Sequence, residues 1–278
     1  MQILNLKNGF EPFGPGTVTL VLSSVFSGGE INIRLDGEIN TEVLISTRVN
    51  NSNDLMELLM ATDALREIGA QKIHLFMPYL PYARQDRVCR GGEAFSLRVF
   101  ARIINLQNYA SMRVFEAHSD VASKYIDRFE SIDNREFVRA ILADKHDFWI
   151  LYPDKGAFAR YAHIFEEIGI GGLLCVCGKE RSQDGAINAT TIPIEDFGGK
   201  DVYMIDDICD GGRTFVALAK QLKERNVDTI NLIVSHGIFS YGEQPLKAGG
   251  VDHIYTTDSF KDIDSSYITQ VKLCDILM

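Results

Sequence analysis

The segment VYMIDDICDGGRTF, residues 202–215, joins an apolar strand to a helix through a turn that contains two glycines. Asp206 and Asp207 lie where the apolar run ends, and the turn occupies residues 210–214. A strand that leads through a short turn into a helix is typical of parallel α/β sheets, in which ligands bind at the carboxyl ends of the strands. This segment therefore predicts an α/β fold and the edge of the sheet at which a site lies.

The turn after this strand has the chemistry of a phosphate site. Its backbone N–H groups, the hydroxyl of Thr214 and the N-terminus of the following helix can together cradle a phosphate. The carboxylates of Asp206 and Asp207 can hold vicinal sugar hydroxyls or a magnesium-bound sugar. The alternative is a tight turn that carries surface acids. We predict a sugar-phosphate site composed of Asp206, Asp207, Asp210, Gly211, Gly212, Arg213 and Thr214.

Outward from this segment, short apolar runs alternate with amphipathic stretches in both halves of the chain. Strands are predicted at 72–76, 112–116, 148–152, 172–177, 201–207 and 229–235. Helices are predicted at 54–70, 94–106, 121–129, 157–168 and 214–225. Strands that alternate with helices favour parallel, covered sheets. Two such sets predict two α/β domains, over residues 1–143 and 144–278.

Composition and charge argue against several classes of protein. The chain has 278 residues, which is enough for two domains of ordinary size. Its formal net charge of −10 argues against a general nucleic-acid binder, which normally has a basic surface. The sequence has no run of about 18 apolar residues, and its N-terminus lacks the pattern of a signal peptide. We therefore expect a cytoplasmic protein that does not span a membrane.

The cysteines and most of the histidines predict no metal site. Cys175 and Cys177 lie two residues apart in the apolar run LLCVC, so on a strand they share one face. We interpret both as buried strand residues. The histidines that match no ligand spacing, and that we interpret as structural, are His74, His146, His163, His236 and His253.

The 202–215 segment resembles the phosphoribosyl-diphosphate-binding motif of type I phosphoribosyltransferases and ribose-phosphate pyrophosphokinases. Further segments resemble the pyrophosphokinases, in the same order along the chain: VFSGGE (25–30), MPYLPYARQDR (77–87), RGGEAFSLR (90–98), EAHS (116–119), YPDKGA (152–157), GKER (178–181), SHGIFS (235–240) and TTDS (256–259). The resemblance covers nearly the whole chain. It implies two tandem type I phosphoribosyltransferase-like domains with mainly parallel sheets.

This resemblance also implies a reaction and an ATP site. ATP would transfer pyrophosphate to the C1 hydroxyl of ribose 5-phosphate, giving AMP and 5-phosphoribosyl 1-diphosphate for nucleotide biosynthesis. The implied ATP-binding residues are Phe26, which would stack on adenine, Glu30, which would accept from its amino group, and Arg84, Gln85 and His118. A guanidinium such as that of Arg84 suits phosphate oxygens. A core phenylalanine is the alternative for Phe26.

By the same resemblance, His118 and Asp154 hold Mg²⁺, which takes few protein ligands and keeps water and phosphate oxygens. Lys179 and Arg181 would be the catalytic pair, on a mobile loop that closes over the β- and γ-phosphates. Because one residue separates them, they face the same side of an extended chain. The alternative is a solvated run of charge.

The chain departs from the family pattern at three places. Val88 stands where the family usually has a basic residue. The segment SDVASKY (119–125) replaces one used in subunit contacts, so the implied homo-oligomer, a dimer or a hexamer, has no assigned size. In the sugar-phosphate turn, Gly211 replaces a hydroxyl residue and Arg213 replaces a small one.

These departures leave alternatives open. The same chemistry on a larger acceptor such as ADP-ribose would give Arg213 a second phosphate to bind. A phosphoribosyltransferase that consumes the diphosphate is disfavoured by the ATP-like segments and by the Lys179 and Arg181 pair. A catalytically inactive regulatory relative is disfavoured because His118 and Asp154 are retained. The expected partners are ATP and a ribose 5-phosphate type of acceptor, without nucleic acid or membrane.

Overall fold

The computed structural model describes residues 1–181 and 187–277, with the backbone alone at 21–22, 179–181 and 187–189. It divides into two compact units. The first unit comprises Met1–Asp133 together with Leu277, and the second comprises Asn134–Ile276. The boundary predicted at 143/144 lies further along the chain than this division.

The difference in boundary comes from the segment that follows Asp133. Asn134 donates from Nδ2 to Ser235 Oγ over 3.0 Å, and Arg135 forms an ion pair of 3.0 Å with Glu167. These contacts attach the helix that begins at Arg135 to the second unit. Sequence periodicity does not show to which unit a short amphipathic helix attaches.

The first unit contains a parallel sheet and a separate hairpin. Its elements are β1 (Gln2–Asn5), β2 (Thr19–Val25), β3 (Ile31–Asp36), β4 (Glu42–Ser46), α1 (Ser52–Glu67), β5 (Lys72–Phe76), α2 (Ser96–Asn105), β6 (Ser111–Phe115), a 3-10 turn (Ala122–Lys124) and β7 (Phe129–Ile132). The five-stranded sheet has the order β1-β4-β5-β6-β7, and all its neighbours are parallel. Strands β2 and β3 pair antiparallel outside it.

Helix α1 shows why the predicted helix forms where it does. Asn51 and Asp54 make a capping box, in which each side chain accepts a backbone N–H of the other residue. Leu58 and Leu65 are buried on the inner face of the helix. Gly69 follows the helix with a φ of +111°, a conformation that glycine adopts at little cost.

The helix predicted at 121–129 is wrong. The structure has a 3-10 turn there, after which β7 pairs parallel with β6, with Met112 opposite Phe129. Arg128 has a φ of +52°, and its guanidinium donates to Asn108 Oδ1 over 3.0 Å. A left-handed residue ends any helix at that point, and the pairing at the sheet edge then overrides the local helical pattern.

The second unit is built on a six-stranded parallel sheet. Its elements are α3 (Arg135–Leu142), β8 (Trp149–Tyr152), α4 (Lys155–Ile168), β9 (Leu173–Val176), β10 (Gly178–Arg181), β11 (Ile187–Thr191), β12 (Lys200–Cys209), α5 (Arg213–Leu222), β13 (Val227–Gly237), α6 (Gln244–Gly249), β14 (His253–Thr257), β15 (Ile268–Val271) and a 3-10 turn (Leu273–Asp275). The strand order is β15-β14-β13-β12-β8-β9, and β10 and β11 form a separate hairpin.

Strand β12 lies inside this sheet, and its buried residues share a hydrophobic core with those of α5. Phe215, Leu218 and Leu222 are buried on the inner face of this helix. Cys175 and Cys177 belong to the same core, which confirms their interpretation as buried residues. None of the helices in the described ranges is long and apolar enough to cross a membrane.

Candidate active site

The carboxyl end of β12 leads into residues 210–214, called here the phosphate loop. Gly212 has a φ of +71° and is the N-cap of α5, which begins at Arg213. A Cβ atom on Gly212 would lie 2.9 Å from the side chain of Leu246. Both the backbone angle and the lack of space therefore require glycine here.

The start of α5 is suited to an anion. The first N–H groups of any helix have no acceptor within the helix, and they carry the positive end of its dipole. At α5 the N-cap is a glycine, which has no side chain to occupy them. Arg213 and Thr214 are exposed in this first turn. The loop thus offers backbone donors, a hydroxyl and a guanidinium to a bound phosphate.

The two aspartates at the end of β12 differ in their surroundings. Asp207 is buried, with 4% of its side chain exposed, and its Oδ2 lies 2.8 Å from Arg160 Nη1. Arg160 comes from α4, and 28% of its side chain is exposed. Asp207 is therefore held by a partly buried ion pair. The sequence predicts the same role for both aspartates and gives no sign of Arg160, which lies on a different element.

Asp206 is less buried than Asp207 and accepts the Asp207 backbone N–H on Oδ1 over 2.9 Å. Burial raises the pKa of Asp206 well above its ordinary value, and the neighbouring charge of Asp207 raises it further. A carboxyl group of this kind favours a ligand that brings positive charge or hydroxyl donors. A sugar with vicinal hydroxyls, or one bound to a cation, meets that requirement.

Replacement of Asp206 by asparagine is expected to stabilise the ligand-free protein at about neutral pH. The pKa of Asp206 is raised on folding. Between about pH 3.8, its ordinary pKa, and its raised pKa in the folded protein, the folded state therefore binds more protons than the unfolded state. The free energy of unfolding therefore falls as pH rises through this window. We expect the Tm of Asp206→Asn to exceed that of wild type at about pH 7, and the difference to shrink toward about pH 4.

Thermal unfolding without ligands, followed across this pH range, measures the effect. Asp228→Asn is the matched control, because it removes an exposed carboxylate from β13. A Tm difference between wild type and Asp206→Asn that does not depend on pH would contradict the raised pKa of Asp206.

Asp154, predicted as a metal ligand, lies two residues after the end of β8 and is the N-cap of α4. Its Oδ1 accepts the Ala157 backbone N–H over 2.9 Å. The carboxylate therefore begins a helix at the same sheet edge as the phosphate loop. Within the ranges that the structure describes, no group of three or more His, Cys, Asp or Glu side chains is arranged to hold a metal.

The predicted catalytic pair lies on the β10–β11 hairpin. Lys179 is opposite Thr190, and Arg181 is opposite Ile187. The register shifts between Glu180 and Arg181, so the placement of both residues on one face remains a prediction. The side chains of Lys179 and Arg181, and the whole of residues 182–186 in the predicted mobile loop, lie outside what the structure describes.

In the first unit, the predicted ATP-binding segment follows β5. Arg84 and Gln85 are exposed there. Tyr82 has a φ of +62°, and its carbonyl accepts the Gln85 N–H over 2.9 Å. The Gln85 carbonyl in turn accepts the N–H of Leu97, in the first turn of α2, over 3.3 Å. This turn holds the pair at the carboxyl edge of the sheet.

His118 follows β6, and its chain neighbours fix the loop around it. Ser119 donates from Oγ to Asp86 Oδ2 over 2.8 Å, and Ala117 donates its N–H to Ser131 Oγ over 2.8 Å. Asp86 therefore ties the predicted ATP segment to the segment that contains His118. Asp86 belongs to the segment 77–87, and its contact with Ser119 could not be predicted from the sequence.

Phe26 lies at the tip of the β2–β3 hairpin with 58% of its surface exposed, so the core alternative for it is wrong. Its N–H donates to the carbonyl of Glu30 over 2.8 Å, and its carbonyl accepts from Gly29 over 2.8 Å. Glu30 is exposed at the other side of the same turn. An exposed aromatic ring beside a carboxylate is suited to a nucleobase.

Two family models match the chain. One, described as the N-terminal domain of ribose phosphate pyrophosphokinase, matches residues 17–107. The other, described as a phosphoribosyl synthetase-associated domain, matches residues 187–278. The ribose-phosphate pyrophosphokinase of Pyrococcus abyssi is 30% identical over 240 residues, covering 84% of this chain and 82% of the relative. That of Thermosipho africanus is 28% identical over 245 residues, covering 84% and 76%.

A solved structure shares the fold. The phosphoribosylpyrophosphate synthetase from Mycobacterium smegmatis superposes with a TM-score of 0.80 at 23% sequence identity. The match covers 92% of this chain and 87% of that one. It confirms the predicted fold class of two phosphoribosyltransferase-like domains with mainly parallel sheets.

Proposed function

The chain belongs to the ribose-phosphate pyrophosphokinase family, and we propose that it transfers the β,γ-pyrophosphoryl group of ATP to the C1 hydroxyl of ribose 5-phosphate. A bond forms between the C1 oxygen and the β-phosphorus, and the bond from the β-phosphorus to the oxygen that bridges it to the α-phosphorus breaks. The hydroxyl proton is lost, and the products are AMP and 5-phosphoribosyl 1-diphosphate. The reaction requires little of the protein beyond alignment of the reactants and neutralisation of charge.

The observation that carries this proposal is the phosphate loop with its paired aspartates. The loop presents the N-terminus of α5 to an anion, and its N-cap Gly212 has no side chain to occupy the first N–H groups of the helix. Asp206 and Asp207 precede the loop on β12 and provide carboxylates for sugar hydroxyls. A ribose that carries a 5-phosphate has both features in one molecule.

On the first unit, Arg84 and Gln85 are proposed to bind the phosphates of ATP, with Phe26 and Glu30 contacting adenine. Support comes from their exposure and from the backbone bonds that fix each turn. Lys179 and Arg181 are proposed to stabilise the charge that develops during transfer. Each of these assignments rests on the resemblance and on the placement of the residue at a strand end or hairpin.

Mg²⁺ is proposed as the cofactor, with Asp154 and His118 as its protein ligands. A carboxylate is the hard donor that Mg²⁺ prefers, and the ion takes most of its remaining ligands from water and phosphate. A small number of protein ligands therefore fits a metal that is held mainly by ATP. When bound, the ion supplies positive charge to the phosphate oxygens. Asp154 is positioned for this by its fixed place at the start of α4.

The purified protein is expected to release AMP from ATP only when ribose 5-phosphate and a divalent metal are both present. Pyrophosphoryl transfer breaks ATP between the α- and β-phosphates, so AMP and the sugar diphosphate form in equal amounts. Liquid chromatography with mass spectrometry identifies both products. ADP as the main nucleotide product would contradict a diphosphokinase.

The same assay compares acceptors, with ADP-ribose beside ribose 5-phosphate. ADP-ribose is included because of Arg213, which is exposed at the first position of α5. Its guanidinium could bind a second phosphate that extends beyond the first. The named relatives favour ribose 5-phosphate. The predicted homo-oligomer and cytoplasmic location remain predictions, and light scattering of the purified protein tests the first.

A further inference from the structure

The segment that follows β13 lies against the phosphate loop. The N–H groups of Ile238 and Phe239 both donate to the carbonyl of Cys209, over 2.9 and 3.1 Å. The N–H of Ser240 donates to the carbonyl of Asp210 over 3.3 Å. Residues 238–240, called here the support segment, therefore hold the start of the phosphate loop by its backbone.

The support segment is itself held in place. Lys261 donates from Nζ to the carbonyl of Ile238 over 2.7 Å. Gly237, just before the segment, packs so closely that a Cβ atom there would lie 2.9 Å from Thr256 Oγ1. Beyond the segment, the ring of Tyr241 covers Gly211, where a Cβ atom would lie 3.1 Å from it. Such fixed surroundings suit a segment that orients its neighbour.

Ser240 also contacts the side chain of Asp210, because its hydroxyl donates to Asp210 Oδ1. Asp210 lies two residues before Gly212, the N-cap of α5. An aspartate at such a position commonly folds its carboxylate onto backbone N–H groups two or three residues ahead. A carboxylate placed there would occupy the donors that a phosphate needs and would repel the phosphate dianion.

We propose that Ser240 is a positioning residue, whose hydroxyl holds the Asp210 carboxylate on the side of the support segment so that the phosphate loop can accept a phosphate monoester. This inference rests on the proposed function, since ribose 5-phosphate supplies that monoester. Ser240 touches neither the sugar nor ATP in this role. It acts through the placement of Asp210.

Ser240→Ala is expected to raise the KM for ribose 5-phosphate about tenfold, since a hydrogen bond to a charged group contributes about 1.5–3 kcal/mol and 1.4 kcal/mol corresponds to tenfold. The KM for ATP stays near the wild-type value. Ser240→Thr, which keeps a hydroxyl, restores most of the affinity. In an Asp210→Asn background, Ser240→Ala has a smaller effect, because the charge to be held in place is gone.

Ser265→Ala is the matched control. The Ser265 hydroxyl donates to the carboxylate of Glu243. The substitution therefore removes a similar serine–carboxylate hydrogen bond elsewhere in the second unit. Calorimetric titration with ribose 5-phosphate, without ATP, gives a second measurement that is independent of turnover. We expect the Kd to rise in Ser240→Ala and to stay unchanged in Ser265→Ala.

The outcomes separate this inference from the proposed function. A wild-type protein that releases no AMP shows that the proposed function is wrong, and the calorimetric comparison still decides the role of Ser240. If wild type is active but Ser240→Ala binds ribose 5-phosphate as wild type does, the positioning role is overturned. Equal losses for ATP and ribose 5-phosphate, together with a lower Tm, would show a structural role instead.

Discussion

Alanine at Lys179 or at Arg181 is expected to lower kcat by about 10²- to 10³-fold while ATP binds almost as it does to wild type. Each side chain would donate to oxygens on which negative charge grows only during transfer. The loss of one such donor costs about 3–4 kcal/mol of transition-state stabilisation. Bound ATP in the ground state is stabilised less by these donors than the transition state is. The substitutions therefore lower kcat and leave the affinity for ATP nearly unchanged.

The place of the pair in the chain supports this expectation. Strand β10 holds both residues opposite β11, with Lys179 level with Thr190 and Arg181 level with Ile187. One residue separates the two cations in the sequence, so both can reach the same polyphosphate. Steady-state kinetics with saturating ribose 5-phosphate gives kcat, and calorimetry gives the Kd for ATP.

Lys200→Ala provides the control for the loss of a positive charge. Lys200 forms an ion pair with Asp147 at the amino end of β12, the opposite end from the phosphate loop. We expect its kcat to remain near that of wild type. If Lys179→Ala and Arg181→Ala keep that kcat as well, the hairpin is not the catalytic element.

Contiguous features of the fold could be predicted from the sequence. In residues 202–215 the strand, the turn and the helix follow one another, so apolar spacing and the glycines were enough to place them. The strand and helix ends are as expected to within a few residues, and Gly212 has the positive φ of a glycine at a helix start. The same holds for α1, whose cap and buried face are local.

Contacts between distant parts of the chain could not be predicted. Ser240 and Asp210 are 30 residues apart, and Ser119 and Asp86 are 33 apart. No periodicity links such pairs, which meet because neighbouring strands end at one edge of a sheet. Strand β7 was missed for a related reason, since its pairing with β6 stabilises an extended conformation that its own residues do not specify.

The ion pair of Arg160 with Asp207 is such a contact, and its loss is expected to have the largest effect on stability. Arg160→Gln removes the guanidinium that lies 2.8 Å from the buried carboxylate of Asp207. Removing one partner of a buried pair costs about 3–5 kcal/mol, because the remaining charge stays out of water. For a unit of this size the Tm should fall on the order of 10 °C, as measured by thermal unfolding.

Two further variants show whether the buried charge is the cause. Asp207→Asn in the Arg160→Gln background should recover much of the lost stability, because a neutral amide costs less to bury than a carboxylate. Arg135→Gln breaks the exposed pair with Glu167, whose side chains are 41% and 47% exposed, and should cost less than about 1 kcal/mol. If Arg160→Gln costs no more than Arg135→Gln, the pair does not hold Asp207 in place.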